Sequence, residues 1–331
     1  MTNRWHTENL KMRIENRGSR LVVWCFGLGL MCLFLGCPQD QVVEVKVVPV
    51  GGATEAPVAV EKAETTEAKG YGTLYGTVTL DGTFKELPML VAKGDPSLKQ
   101  EDRAVCAVSD IPDESLVVNS ANKGLANVVI FLEKRPANIK PELSKPPTEP
   151  VLFDQKGCRF LPHVLVVQAG QPLMILNDDA LTHNTHTNPK RNTGFNQSIP
   201  PHERTGIACD YKKPESGPIS VVCDVHRWMK AFHFPIDHPY WAVTDKDGKY
   251  RIEGLPAGKH SFNVWQERGP GDSHLLVRKL DVVIDVDQET PKDLNFGPDK
   301  FARLPRASRR AVAYERLLNG GEIVVTQTED R

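Results

Sequence analysis

Two stretches of this sequence carry the side chains best suited to holding a transition metal. The first is Leu176-Asn-Asp-Asp-Ala-Leu-Thr-His183-Asn-Thr-His186, an apolar strand ending in a polar turn with two histidines. The second is Val221-Val-Cys223-Asp-Val-His226-Arg-Trp-Met229, another strand end with thiol, imidazole and thioether in close succession. One thiolate and two imidazoles near a trigonal plane, with a weak axial thioether, form the donor set of a blue (type 1) copper site. His183, Cys223, His226 and Met229 supply that set. Three ligands on one tight loop converge if the chain turns back sharply, and the fourth from a neighbouring strand fixes the plane. A rigid β-scaffold would then hold nearly the same geometry in both oxidation states, which suits electron transfer.

Each residue alone has a plainer reading. A histidine at a strand end is commonly a hydrogen-bonded loop residue, and a buried cysteine commonly acts as a small hydrophobe. Only the joint pattern points to a metal. Zinc is the chemical competitor, but it needs a further Cys, His or carboxylate in place of Met229, and His186 or Asp224 would have to serve. A two-copper centre needs a second loop cysteine, which the stretch lacks. His163, His202, His233 and His238 have no matching motif. No Ser-His-Asp set, phosphate loop, paired acid motif or Cys-x-x-Cys-His haem attachment is apparent, so the expectation is an electron carrier or metal-binding protein rather than an enzyme.

Residues 151–236 resemble a cupredoxin, and within that superfamily the Cys-x2-His-x2-Met loop and the His-Asn-x-His turn are similar to those of amicyanin, plastocyanin having a longer gap before Met. That resemblance implies a Greek-key β-sandwich with one mononuclear type 1 copper. It makes His183 the upstream ligand, Cys223 the thiolate, His226 the second imidazole and Met229 the axial sulfur. Asn184 would tie the two ligand loops together by hydrogen bonds, and His186 would stand beside the site as a non-ligand. Electrons would leave through the exposed edge of His226, with Trp228, Met229 and Phe232 either a docking patch or core packing.

The elements around this segment also read as mainly β. Pro and Gly number 25 each, and the apolar runs are short and rich in Val and Ile. Strands are expected in 72–82, ending in a hairpin-type turn, and in 127–133, 164–167, 172–177, 219–223, 250–252, 261–265, 275–286 and 294–296, with a surface loop over 135–150. Residues 243–265, with the turn Asp245-Lys-Asp-Gly248, resemble the second half of a carboxypeptidase regulatory-like domain, a transthyretin-like β-sandwich. Its first half would come from residues 71–150 and its second from 237–298. The cupredoxin would thus be inserted in, or packed on, this second sandwich.

The N-terminus decides the compartment. Lys11, Arg13, Arg17 and Arg20 precede the uncharged run 21–35, which Gly36-Cys37 closes, as in an export signal. A small residue before a cysteine is similar to a bacterial lipobox, although Phe34 stands where Leu is usual. Residues 1–37 are therefore read as signal with Cys37 as lipid anchor, an uncleaved anchor being the rival. Residues 38–70, without an aromatic residue, form a tether, and 299–331 a charged tail. The expected location is the periplasm or cell surface. Of the remaining cysteines, Cys106, Cys158 and Cys209 allow at most one disulfide; Cys106 with Cys158 is the expected pair, a reduced pair the alternative. A net charge of −1 argues against nucleic acid as a partner, leaving redox proteins and, through the anchor, a membrane. The alternative function is a non-catalytic surface or copper-storage protein with a cupredoxin fold.

Overall fold

The computed structural model describes residues 69–84 and 86–301. The predicted signal, the Cys37 anchor, most of the tether and the arginine-rich tail lie outside the described residues. Within them the chain is mainly β, and no helix is long and apolar enough to cross a membrane.

Strict alternation explains the first sandwich. Along Tyr71–Leu80 every second side chain is buried, Leu74, Val78 and Leu80 among them, as expected of a strand with one face on a core. This strand pairs antiparallel with Lys249–Pro256 and parallel with Glu289–Pro291 and Leu294–Phe296. Across the core lies the sheet Trp241–Val243, Val129–Leu132, Gly258–Trp265, Leu275–Ile284. Ile130, Phe262, Ile252 and Val264 fill the space between. Both sheets therefore join residues that precede position 151 to residues that follow 236. At the hairpin before Lys249–Pro256, the Asp245 carboxylate accepts from the N–H groups of Asp247 and Lys249, both at 2.9 Å. Gly248 closes that turn with φ +78° and meets Gly124 so closely that a Cβ on either would collide with backbone.

Residues 151–236 build a second sandwich. One sheet runs Val164–Gln168, Lys230–Ile236, Ile219–Val222, His183–Thr187, Phe195–Ile199; the other runs Phe160–Leu161, Val151–Gln155, Leu173–Ile175, Ile207–Ala208. Val164–Gln168 is buried at every position because both its faces are covered. Leu165 and Val167 face the core of this sandwich, whereas Val164 and Val166 join Phe232, Phe234 and Ile236 against Val129 and Trp265 of the first. The two sandwiches thus share a third apolar layer.

Two sequence expectations change. The stretch His183–Thr187 is a strand hydrogen-bonded on both sides rather than a polar turn, because Phe195–Ile199 and Ile219–Val222 supply ladder partners. Residues 71–150 also do not all serve the first sandwich. Val91, Cys106, Ala107 and Ile111 pack into the core of the second. The helix Gln100–Cys106 is held there by a Cys106–Cys158 disulfide, with Cα atoms 5.2 Å apart, within the usual range for such a bridge.

Candidate metal centre

The strands Ile219–Val222 and His183–Thr187 are neighbours in one sheet, and this pairing brings the two histidine stretches together. His183 lies at the start of its strand, and Cys223 follows directly on the other. Beyond Cys223 the chain folds back: Met229 N–H donates to the His226 carbonyl at 2.8 Å, and Cys223 N–H donates to the Met229 carbonyl at 3.3 Å. Nδ1 of His183 and Nδ1 of His226 stand 2.9 Å apart, and Cys223 Sγ is 3.9 Å from the latter. Ligand atoms of these three residues all lie within 4.8 Å of one another, and all three side chains are buried. Met229 is buried in the same apolar core as Cys223.

No family model matches this sequence, and no curated protein matches it. Solved structures do. A purple cupredoxin from Nitrosopumilus maritimus aligns at 14% identity over 25% of this chain and 97% of its own, with a TM-score of 0.22. Amicyanin from Paracoccus versutus aligns at 14% identity over 32% of this chain and 96% of its own, with a TM-score of 0.23. A copper-containing nitrite reductase from Thermus scotoductus aligns at 19% identity over 30% of this chain, with a TM-score of 0.25. Only 27% of that enzyme's length is covered.

Both imidazoles are oriented from behind by carboxylates. Asp179 Oδ2 lies 2.9 Å from His183 Nε2, and the same carboxylate accepts from the N–H groups of Gly157 and Cys158 at 2.6 and 2.7 Å. Asp102 Oδ1 lies 3.3 Å from His226 Nε2. An ionised carboxylate only accepts, so each Nε2 carries hydrogen and each Nδ1 is the nitrogen turned towards the common centre, the one that would ligate a metal.

The thiol is prepared in the same way. Burial opposes its ionisation, but hydrogen bonds from His183 and His226 and from the backbone of Asn184 and His226 outweigh that, drawing Cys223 from 9.0 down to about 5. For His183, burial disfavours the charged ring, and the hydrogen bond to Asp179, with Cys223 beside it, overcomes this and raises its pKa. Cys209 behaves oppositely: burial pushes it up to about 12, leaving an inert thiol.

Asn184 joins the two loops. Its Oδ1 accepts from Asp224 N–H at 2.7 Å, and its Nδ2 donates to Asp224 Oδ2 at 2.9 Å and to Asn196 Oδ1 at 3.0 Å. His186 and Asp224, the residues zinc would have needed, pair with each other at 3.1 Å on the surface instead. That leaves the donor set as two imidazoles, a thiolate and a neighbouring thioether, which fits copper.

The exposed-edge expectation is corrected. His226 is 2% exposed, Met229 2% and Phe232 8%, so they form no docking patch. Phe232 belongs to the layer between the sandwiches, and the helix Gln100–Cys106 covers His226 through Asp102. Trp228 alone of the group is partly exposed; its ring centre is 5.1 Å from that of His226, and its Nε1 donates to the Cys158 carbonyl at 3.1 Å. It lines a cavity of about 300 Å³ beside Met229. Of the residues around the centre, Asp102 and Asp179 carry no sequence signal, and Cys158 carries one only as the expected partner of Cys106. Asp179 stands four residues before His183, but nothing marks which of the paired aspartates turns inward.

Proposed function

We propose that this chain is a membrane-tethered electron carrier in which one mononuclear type 1 copper would be held by His183, Cys223, His226 and Met229. The observation that carries the reading is the buried convergence of three Lewis bases whose other hydrogen-bonding positions are already occupied. Bound there, copper would supply a one-electron couple between Cu(II) and Cu(I). The chain's own residues would hold both imidazoles, keep the thiol ionised and exclude water. Cupredoxin character for residues 151–236, a carboxypeptidase regulatory-like flanking sandwich, export, lipidation at Cys37 and redox protein partners belong to the same proposal.

The test is addition of Cu(II) to the full-length protein. An intense visible thiolate-to-copper charge-transfer band with one copper per chain is expected, and a colourless protein without stoichiometric copper overturns the reading. Cys223→Ser should abolish the band; a band that survives it means the ligand assignment is wrong. Met229→Leu should keep the copper and change its potential.

A further inference from the structure

His226 reaches its partner across most of the folded sequence. Asp102 is 124 positions earlier, on a helix that belongs to neither sheet of the copper-type sandwich. A disulfide ties that helix to a residue that also meets the supports of both imidazoles. Cys106, one helical turn beyond Asp102, is bridged to Cys158. The Cys158 carbonyl accepts from Trp228, which packs on His226. The Cys158 N–H donates to Asp179, which holds His183. One cysteine therefore links the supports of both imidazoles.

We propose that Asp102 is a positioning residue that caps His226: it fixes the ring with Nε2–H outward and Nδ1 inward, and it closes the imidazole edge to direct contact by a redox partner. This rests on the copper reading above. Hydrogen bonding to a carboxylate makes an imidazole a stronger donor, which favours the more highly charged oxidation state. Removing the carboxylate should therefore favour Cu(I). Access should change as well, because the Asp102 carboxylate stands on the Nε2 edge of His226, which is 2% exposed.

The experiment compares the full-length wild type with Asp102→Asn, Asp102→Ala and Asp102→Glu, and with Glu101→Gln on the exposed side of the same helix as a control. Loaded with copper, Asp102→Asn should shift the Cu(I)/Cu(II) equilibrium about tenfold towards Cu(I), which is about 59 mV for one electron. Asp102→Glu should recover part of the shift, and Glu101→Gln should show none. Asp102→Ala should react several-fold faster with a small inorganic outer-sphere reductant. In metal-free protein, nitrogen NMR should find His226 held with hydrogen on Nε2 in the wild type and mixed between tautomers in Asp102→Ala. The proposal is overturned if the Asn and Ala variants retain wild-type potential, rate and tautomer while remaining folded. A wild type that takes up no copper removes the copper reading alone, since the NMR comparison still reports whether Asp102 sets the ring.

Discussion

The centre and its surroundings sort histidines by what their second nitrogen meets. His183 and His226 each have a carboxylate on Nε2. His233, close by in the same sandwich, has only the Tyr211 hydroxyl at 2.9 Å on Nδ1, and no partner on its buried Nε2. Its ring lies edge-on to Phe153, and burial pushes its pKa from 6.5 down to about 3. The unfolded chain therefore binds a proton below about pH 6.5 that the folded protein refuses until about pH 3. Stability should fall as pH drops through that window, by at most about 1.4 kcal/mol per pH unit from this group. Denaturant titrations across the window, compared with His233→Gln, check it: the variant should lose much of the acid slope. Asn184→Ala should leave the Asp224 N–H without its acceptor and cost about 1–3 kcal/mol, read as a lower denaturant midpoint. The sequence marks three of the proposed ligands, Cys223, His226 and Met229, by the local spacing Cys-x2-His-x2-Met, and offers His183 only by residue type at a strand end. It does not mark Asp102, since no local pattern reports which distant carboxylate will face a ring. The burial of His226 was hidden for the same reason.

Legibility at the scale of elements follows periodicity. Tyr71–Leu80 alternates and was readable as a one-faced strand, while residues 164–167 of the strand Val164–Gln168 were readable as a short continuous apolar run. His183–Thr187 was not, because its residues are polar and its strand character comes from partners on both sides. The helix Gln100–Cys106 has too few residues for a periodic signal and owes its place to the disulfide and to Cys106 in the core. The Asp245 turn was visible from its composition, but its dependence on Gly124 was not. Gly124 and Gly248 touch across the turn, and Leu125 N–H donates to the Val78 carbonyl beside them at 2.8 Å. Gly124→Ala must push the Asp247 backbone away, with an expected cost of at least about 1–3 kcal/mol. Thermal unfolding should show it, with the copper band unchanged below the transition, since this turn lies in the other sandwich.

For the whole molecule, the decisive feature is the apolar layer between the two sandwiches. Trp265 is 1% exposed and meets Phe232 and Phe234 at ring-centre distances of 5.1 and 4.7 Å in tilted, edge-to-face arrangements. Phe131 adds a further contact to Phe234 at 6.2 Å. These rings come from strands whose opposite faces fill the two separate cores, so each sandwich completes the other's outer surface. Lone sandwiches would expose Val164, Val166, Phe232, Phe234 and Ile236 on one side, a patch that an independent soluble domain rarely carries. Unfolding of the wild type should accordingly be a single cooperative transition, followed equally by tryptophan fluorescence and, in the copper-loaded protein, by the visible band. Phe234→Ala should cost about 3–5 kcal/mol, and its effect should go beyond a lower midpoint. With the shared layer weakened, the two probes should separate into distinct transitions. Coincident transitions in the variant would mean that the covalent crossings at residues 150 and 237, together with the helix pinned by Cys106–Cys158, are enough to couple the sandwiches without the aromatic layer.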